Sequence, residues 1–260
     1  MKTFTFEDAN LGRVEYVDQK RKLWLCSVIF PLIPFLGKGL FLCHRSEWVL
    51  WTPLASVYVL IPLLDYLFPN DASNPPEAIV PQLEADPYYR LLNHLTVPLF
   101  FIVLICGTWF VAAQQPGWFG TLGLALTVGA IGGFGVNTGH ELGHKKGAID
   151  QIFARLVLAV PFYGHFTMEH NAGHHARVAT PEDSASARMG ENIYRFALRE
   201  IPGGISRAWA LEMRRLERRG HSHWSWRTHL LQSHLVSLRL YGGLLLAFGL
   251  SVLAFLRIPA

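Results

Sequence analysis

Residues 119–146 read FGTLGLALTVGAIGGFGVNTGHELGHKK. From Phe119 to Val136 no side chain carries a charge, and the run then passes into His140-Glu141-Leu142-Gly143-His144 and the pair Lys145-Lys146. A helix needs roughly 20 mostly apolar residues to cross the hydrocarbon core of a bilayer. The run therefore predicts a membrane-spanning helix that ends at a polar surface. Two histidines four residues apart sit at that end, on one helical face. Gly129, Gly132, Gly133 and Gly135 are expected to let a neighbouring helix approach closely.

Outward from this stretch the chain repeats the pattern. Residues 23–42, 48–68 and 95–113 are also long and apolar. Pro31 and Pro34 fall inside the first and predict a kink, which membrane helices tolerate when neighbours satisfy the freed carbonyls. Charged residues make up 16% of the 260-residue chain, against about 25% in soluble domains. The expected fold is all-α: a polytopic transmembrane helical bundle with a cytoplasmic histidine-rich cap. Its divisions are an N-terminal cytoplasmic segment over 1–22, four spans over 23–136, a histidine-bearing region over 137–234 and an apolar C-terminal helix over 235–260. Residues 152–166, broken by Pro161, read as a re-entrant or interfacial segment.

Charge orients the bundle. Lys20, Arg21 and Lys22 precede the first span, Lys145 and Lys146 follow the fourth, and residues 177–239 are rich in arginine. The positive-inside rule puts all three on the cytoplasmic side, and four spans return the chain to the side where it began. Lys38 and Arg45, near an outer loop, run mildly against this. The polar, acidic opening to Lys22 does not resemble a secretory signal. Cys26, Cys43 and Cys106 lie in apolar stretches without C-x-x-C spacing, which argues against a disulfide framework or thiolate metal site. The basic balance suits anionic headgroups or an acidic protein partner; nucleic acid is not expected beside such lipid-like segments.

Of twelve histidines, five fall into two groups. His140 and His144 form the first. His170, His174 and His175 form the second, in Glu169-His170-Asn171-Ala172-Gly173-His174-His175. On a regular α-helix His170 and His174 share a face and His175 is turned about 100° from His174. Ionisable residues at membrane depth are costly and point to function. His44, His94, His221, His223, His229 and His234 read more plainly as polar tips or hydrogen-bonded residues, and His165 is a possible further ligand. An all-imidazole set suits iron, copper, nickel or zinc. His140-Glu141-Leu142-Gly143-His144 also matches the H-E-x-x-H string of zinc metalloproteases, but such a site needs only three protein ligands and leaves the second group unexplained. A metal-binding or transport protein is the non-enzymatic alternative.

The two histidine groups resemble the histidine boxes of the membrane alkane monooxygenases of the diiron family. The resemblance continues through Val178-Ala179-Thr180-Pro181-Glu182-Asp183-Ser184-Ala185-Ser186-Ala187-Arg188 and Gly190-Glu191-Asn192-Ile193-Tyr194-Arg195-Phe196. It implies a multi-pass protein of the bacterial inner membrane, with two iron ions on the cytoplasmic side held mainly by His140, His144, His170, His174 and His175. It implies terminal hydroxylation of medium-chain n-alkanes with dioxygen, and electrons from rubredoxin, itself reduced by rubredoxin reductase. Short histidine spacings are shared with fatty-acid desaturases and hydroxylases, so those activities, or an aromatic side-chain oxidation, stand as alternatives. Glu141, Glu169 and Asp183 are candidates to orient imidazoles. Arg207, Arg214, Arg215, Arg218 and Arg219 are candidates to dock an acidic electron carrier. The family's two further histidine motifs, an asparagine-tyrosine-x-glutamate-histidine string and a paired histidine, do not occur here. The expectation is a fragment or truncated gene product with an incomplete ligand set and low activity alone.

Overall fold

The computed structural model describes residues 2–8, 12–69, 71 and 73–260. They form two compact units, Met1–Ile131 and Gly132–Ala260. Apart from one hairpin, the described elements are helical.

That hairpin stands where an N-terminal cytoplasmic segment was expected; Met1 and residues 9–11 of that segment lie outside the described residues. Strands β1 (Lys2–Asp8) and β2 (Gly12–Asp18) pair antiparallel, with Phe4 opposite Tyr16 and Phe6 opposite Val14. Large side chains at every second position on facing strands are what a two-stranded ribbon requires. The hairpin is moored through Asp86. This buried carboxylate accepts from Arg21 at 2.6 Å, from Lys2 at 3.0 Å and from the Tyr88 amide at 3.0 Å.

The first apolar stretch is helical over Leu23–Leu32 and again in α1 (Pro34–His44), the two halves bent by 50°. Pro34 occupies the first turn of α1, where its missing N–H costs nothing. Helices α2 (Glu47–Leu67), α3 (Pro87–Gln114) and α4 (Trp118–His144) are each long and apolar enough to cross a membrane, and the bent pair makes a fourth if it counts as one span. The Glu47 carboxylate accepts from the Gly117 amide at 2.5 Å and the Gly120 amide at 2.9 Å. An anion there satisfies donors that the first turn of α4 leaves unpaired. The α2–α4 approach uses different glycines from those the sequence suggested. A Cβ on Gly123 would lie 2.7 Å from the Trp51 ring and one on Gly120 2.9 Å from Leu50, whereas one on Gly133 would touch nothing within 4 Å.

In the second unit α4 runs on past Val136 to His144. It is followed by α5 (Ala148–Ala159), the histidine segment, α6 (Ile193–Arg218) and α7 (His229–Phe248). The apolar run 152–166 divides. Its first part belongs to α5, and the chain then turns through Phe162 at φ 56°. The C-terminal helix starts earlier than expected and breaks at Gly249, whose φ of 78° suits a residue without a Cβ.

Candidate metal centre

The last turns of α4 present His140 and His144 side by side, their Nε2 atoms 3.0 Å apart. Two close approaches hold this end in place. A Cβ on Gly139 would lie 2.6 Å from Leu158 of α5, and one on Gly143 would lie 2.8 Å from Thr167. The carbonyls left open at the helix end find side-chain donors. Gln151 donates to Gly143 O at 2.9 Å and Lys145 O at 2.7 Å, and Asn171 donates to Gly143 O at 3.0 Å. Asn171 thereby ties the second histidine group to the first.

That second group departs from α geometry. Residues His170–His174 form a π turn in which the His175 amide donates to His170 O. The turn swings His175 back over His170, with their Nε2 atoms 3.1 Å apart. The α-helical expectation, with His175 set aside from the pair, is corrected accordingly; His174 stays stacked on His170 at a ring separation of 5.3 Å. His170 also meets the first group, 4.5 Å from His140 and 5.3 Å from His144 between ring centres. His144 lies 5.1 Å from His175. Ring nitrogens of His140, His144 and His170 fall within 4.8 Å of one another.

His174 has a carboxylate behind it. Its Nδ1 lies 2.8 Å from Asp183 Oδ2, so an Nδ1–H donating to that acceptor leaves Nε2 as the free lone pair. Asp183 is buried and is itself held by Ser186 Oγ at 2.5 Å, the Ala185 amide at 3.1 Å and Arg207 at 3.3 Å. Burial alone would raise its pKa; the hydrogen bonds from Ser186, His174 and Ala185 outweigh it and hold the carboxyl below its usual range. Glu169 is equally buried, but it accepts from Arg207. Glu141 is exposed, its Oε1 3.8 Å from His140 Nδ1 and beyond hydrogen-bond reach. Burial, followed by the facing imidazoles of His140, His175, His144 and His174, pushes His170 down to about 4, so its ring is neutral at pH 7.

His165 stands apart from these five. Its ring contacts are with Tyr163 at 4.4 Å and His234 at 6.2 Å. It is buried, and among the described residues neither of its ring nitrogens has a hydrogen-bond partner. His223 pairs with Glu217 at 2.7 Å and His234 donates to Leu230 O at 2.8 Å, as hydrogen-bonded histidines do. The arginines on α6 divide. Arg207 turns inward to Glu169, Asp183 and Glu182 O, and Arg215 binds Glu212 at 2.6 Å and Arg227 O at 2.7 Å. Neither is a free surface charge, which reduces the docking set suggested by the sequence to Arg214, Arg218 and Arg219.

The donor set fits a divalent transition metal. Imidazole ring nitrogens that converge at 3.0–3.1 Å oppose lone pairs unless a proton or a cation lies between them. Nitrogen donors without thiolates suit iron, copper, nickel or zinc.

Residues 116–260, more than half of the chain, match the family described as fatty acid desaturase. The chain is 50% identical to alkane 1-monooxygenase 1 of Alcanivorax borkumensis over 94% of its length, and 48% identical to an alkane 1-monooxygenase of Pseudomonas putida over 94%. It spans 60% and 61% of the length of those two relatives. A more distant likeness, 25% identity over 70% of the chain, is to the hydroxylase component of a xylene/toluene monooxygenase of Pseudomonas putida. The chain therefore belongs to the fatty acid desaturase family and is a homologue of the alkane 1-monooxygenases.

Proposed function

We propose that this chain forms the membrane-embedded histidine part of a nonhaem diiron monooxygenase that hydroxylates the terminal carbon of medium-chain n-alkanes. The observation that carries the reading is the convergence of His140, His144, His170 and His175 at the end of an apolar helix. These four and His174 would hold the iron. An alkane offers no handle for acid–base chemistry, and iron when bound supplies the dioxygen chemistry that its C–H bond requires.

The protein's own residues do the rest. Asp183 holds the Nδ1 proton of His174 and so fixes which nitrogen faces the site. Arg207 neutralises Glu169 and Asp183 and keeps the histidine segment folded. The apolar spans offer the alkane a dry route from lipid. Lys145, Lys146 and the arginines after Arg177 support a cytoplasmic site in the bacterial inner membrane. Arg214, Arg218 and Arg219 suit an acidic electron donor, read as rubredoxin served by its reductase, because complementary charge raises encounter rates.

The direct test is iron content per purified chain in detergent after anaerobic ferrous loading. Bound iron that is lost in His140→Ala and His170→Ala is the expected result. A chain that takes up no more iron than those variants would overturn the assignment. With rubredoxin, its reductase, NAD(P)H and dioxygen supplied, octane is expected to give 1-octanol. A double bond in a fatty acyl chain, or a benzylic alcohol from toluene, would move the chain to another activity.

A further inference from the structure

Helix α6 carries a row of uncovered apolar side chains. Tyr194, Leu198, Ile201, Ile205 and Trp209 follow one another at intervals of four, three, four and four residues, which places them on one face of a helix. All five are exposed, Tyr194 and Leu198 at 80%. Farther along the helix this stripe turns into its own unit, where Ala208, Glu212, Met213 and Leu216 are buried, so the uncovered part is the stretch from Tyr194 to Trp209. Beyond the helix end Trp224 folds back to within 6.0 Å of the Trp209 ring and is itself exposed. A contiguous apolar surface of this kind marks an interaction site.

We propose that α6 lies along the membrane surface with this row sunk at the boundary between headgroups and acyl chains. The helix does not suit a crossing, because Arg195, Arg199, Arg207, Arg214, Arg215 and Arg218 and three glutamates are spread along it. A polar, arginine-bearing face with aromatic and aliphatic residues on the other is the composition of helices that lie in the interface. Three observations make lipid the occupant. The same chain holds three helices able to cross a bilayer, so lipid is always at hand. The row opens on Tyr194 and closes on Trp209 and Trp224, ring types that concentrate at membrane–water boundaries. Arg195, beside the row, is exposed and complements anionic headgroups.

The arrangement has a consequence for the histidines. From the same helix, Arg207 holds Glu169 and Asp183, and Arg199 donates to Ser184 O at 2.8 Å and Ser186 O at 3.0 Å. A helix seated on lipid therefore sets the depth of the segment that carries His174 and its carboxylate, at the level where an apolar molecule leaves the bilayer. The inference rests on the chain being a membrane protein and not on its metal or its reaction.

The test is nitroxide depth in vesicles of phosphatidylcholine and phosphatidylglycerol. Leu198→Cys, Ile201→Cys and Ile205→Cys are labelled singly, with Cys26, Cys43 and Cys106 replaced by alanine. Ser206→Cys and Glu217→Cys serve as controls at exposed positions off the row. Labels on the row are expected to collide more with dissolved oxygen than with a water-soluble nickel chelate, and the controls the reverse. Nickel reaching the row as freely as Ser206 would show a solvated face and overturn the proposal. Labels that neither reagent reaches would show a protein cover, a second copy or another segment, and would overturn it equally. Iron content, read separately on each labelled chain, keeps this outcome distinct from failure of the proposed function.

Discussion

The Nε2 atoms of His170 and His175 lie 3.1 Å apart although the residues are five positions apart in sequence. A regular α-helix would carry the second ring about 140° around the axis from the first. The π turn over His170–His174 adds a residue to the loop closed by the backbone hydrogen bond and brings the rings together. Such turns occur mostly as single insertions and often at functional sites. One histidine pair is thus made by α geometry, at His140 and His144, and the other by π geometry.

Gly173 sits inside that turn, and a Cβ there would lie 2.8 Å from Glu169 Oε1 and 3.3 Å from Leu211. Gly173→Ala is expected to push Glu169 off Arg207 and tilt the histidine rings. Ferrous affinity should fall by roughly 10–100-fold, the usual effect of disturbing the supports of metal ligands. In an unconstrained helix the same change would stabilise by about 1 kcal/mol. Unchanged affinity in an anaerobic ferrous titration would show that the turn tolerates a side chain and that the close approach does not matter.

Asp183 and Arg207 separate two roles. Asp183→Asn keeps the shape but removes the charge behind His174, and should weaken metal binding by roughly 10–100-fold with a small change in melting temperature. Arg207→Ala leaves Glu169 and Asp183 buried without their cation. Removing one partner of a buried pair costs about 3–5 kcal/mol, so this variant should melt at a clearly lower temperature even without metal. Equal melting of the metal-free forms of both variants would contradict the division.

The spans were legible because charge is scarce and locally absent, and residues 119–136 need no partner to be read as a helix for lipid. The histidine groups were legible because imidazoles are costly beside such segments. The π turn was not, since the sequence of residues 170–175 fits α spacing and the extra residue shows only in the backbone. Arg207 was read as a surface charge because nothing in α6 reveals that Glu169 and Asp183, far upstream, are buried against it. The N-terminal hairpin was hidden by its polar composition, although Phe4 and Phe6 alternate toward Tyr16 and Val14.

His165 allows its own decision. It is buried, both ring nitrogens lack partners among the described residues, and its ring contacts are with Tyr163 and His234. Replacing an unsatisfied polar ring by an apolar ring of similar size is close to neutral or stabilising. His165→Phe is therefore expected to keep both iron content and melting temperature, whereas His170→Phe should lose iron. Loss of iron from His165→Phe would make it the additional ligand that the sequence offered.

The mooring of the N-terminal hairpin predicts an acid-sensitive segment. Asp86 receives Arg21 through both terminal guanidinium nitrogens, at 2.6 and 3.3 Å, and the Arg21 guanidinium stacks 4.0 Å above the Tyr88 ring. The hydrogen bonds from Arg21 come first among the causes that hold the carboxyl far below its ordinary value, against the opposing effect of burial. Its folded-state pKa is thus lower than its unfolded one, near 3.9. The stabilisation is complete above that unfolded value and is lost as pH falls toward the folded one, at up to about 1.4 kcal/mol per pH unit. Amide protection factors across Lys2–Asp18 should fall as pH drops through roughly 4, while those in the middle of α3 stay constant. Asp86→Asn should show the lowered protection already at neutral pH and lose the acid dependence. A variant that kept both the protection and its pH profile would show that the hairpin is held by Gln82 on Thr5 O and Tyr89 on Asp18, not by the Asp86 ion pair.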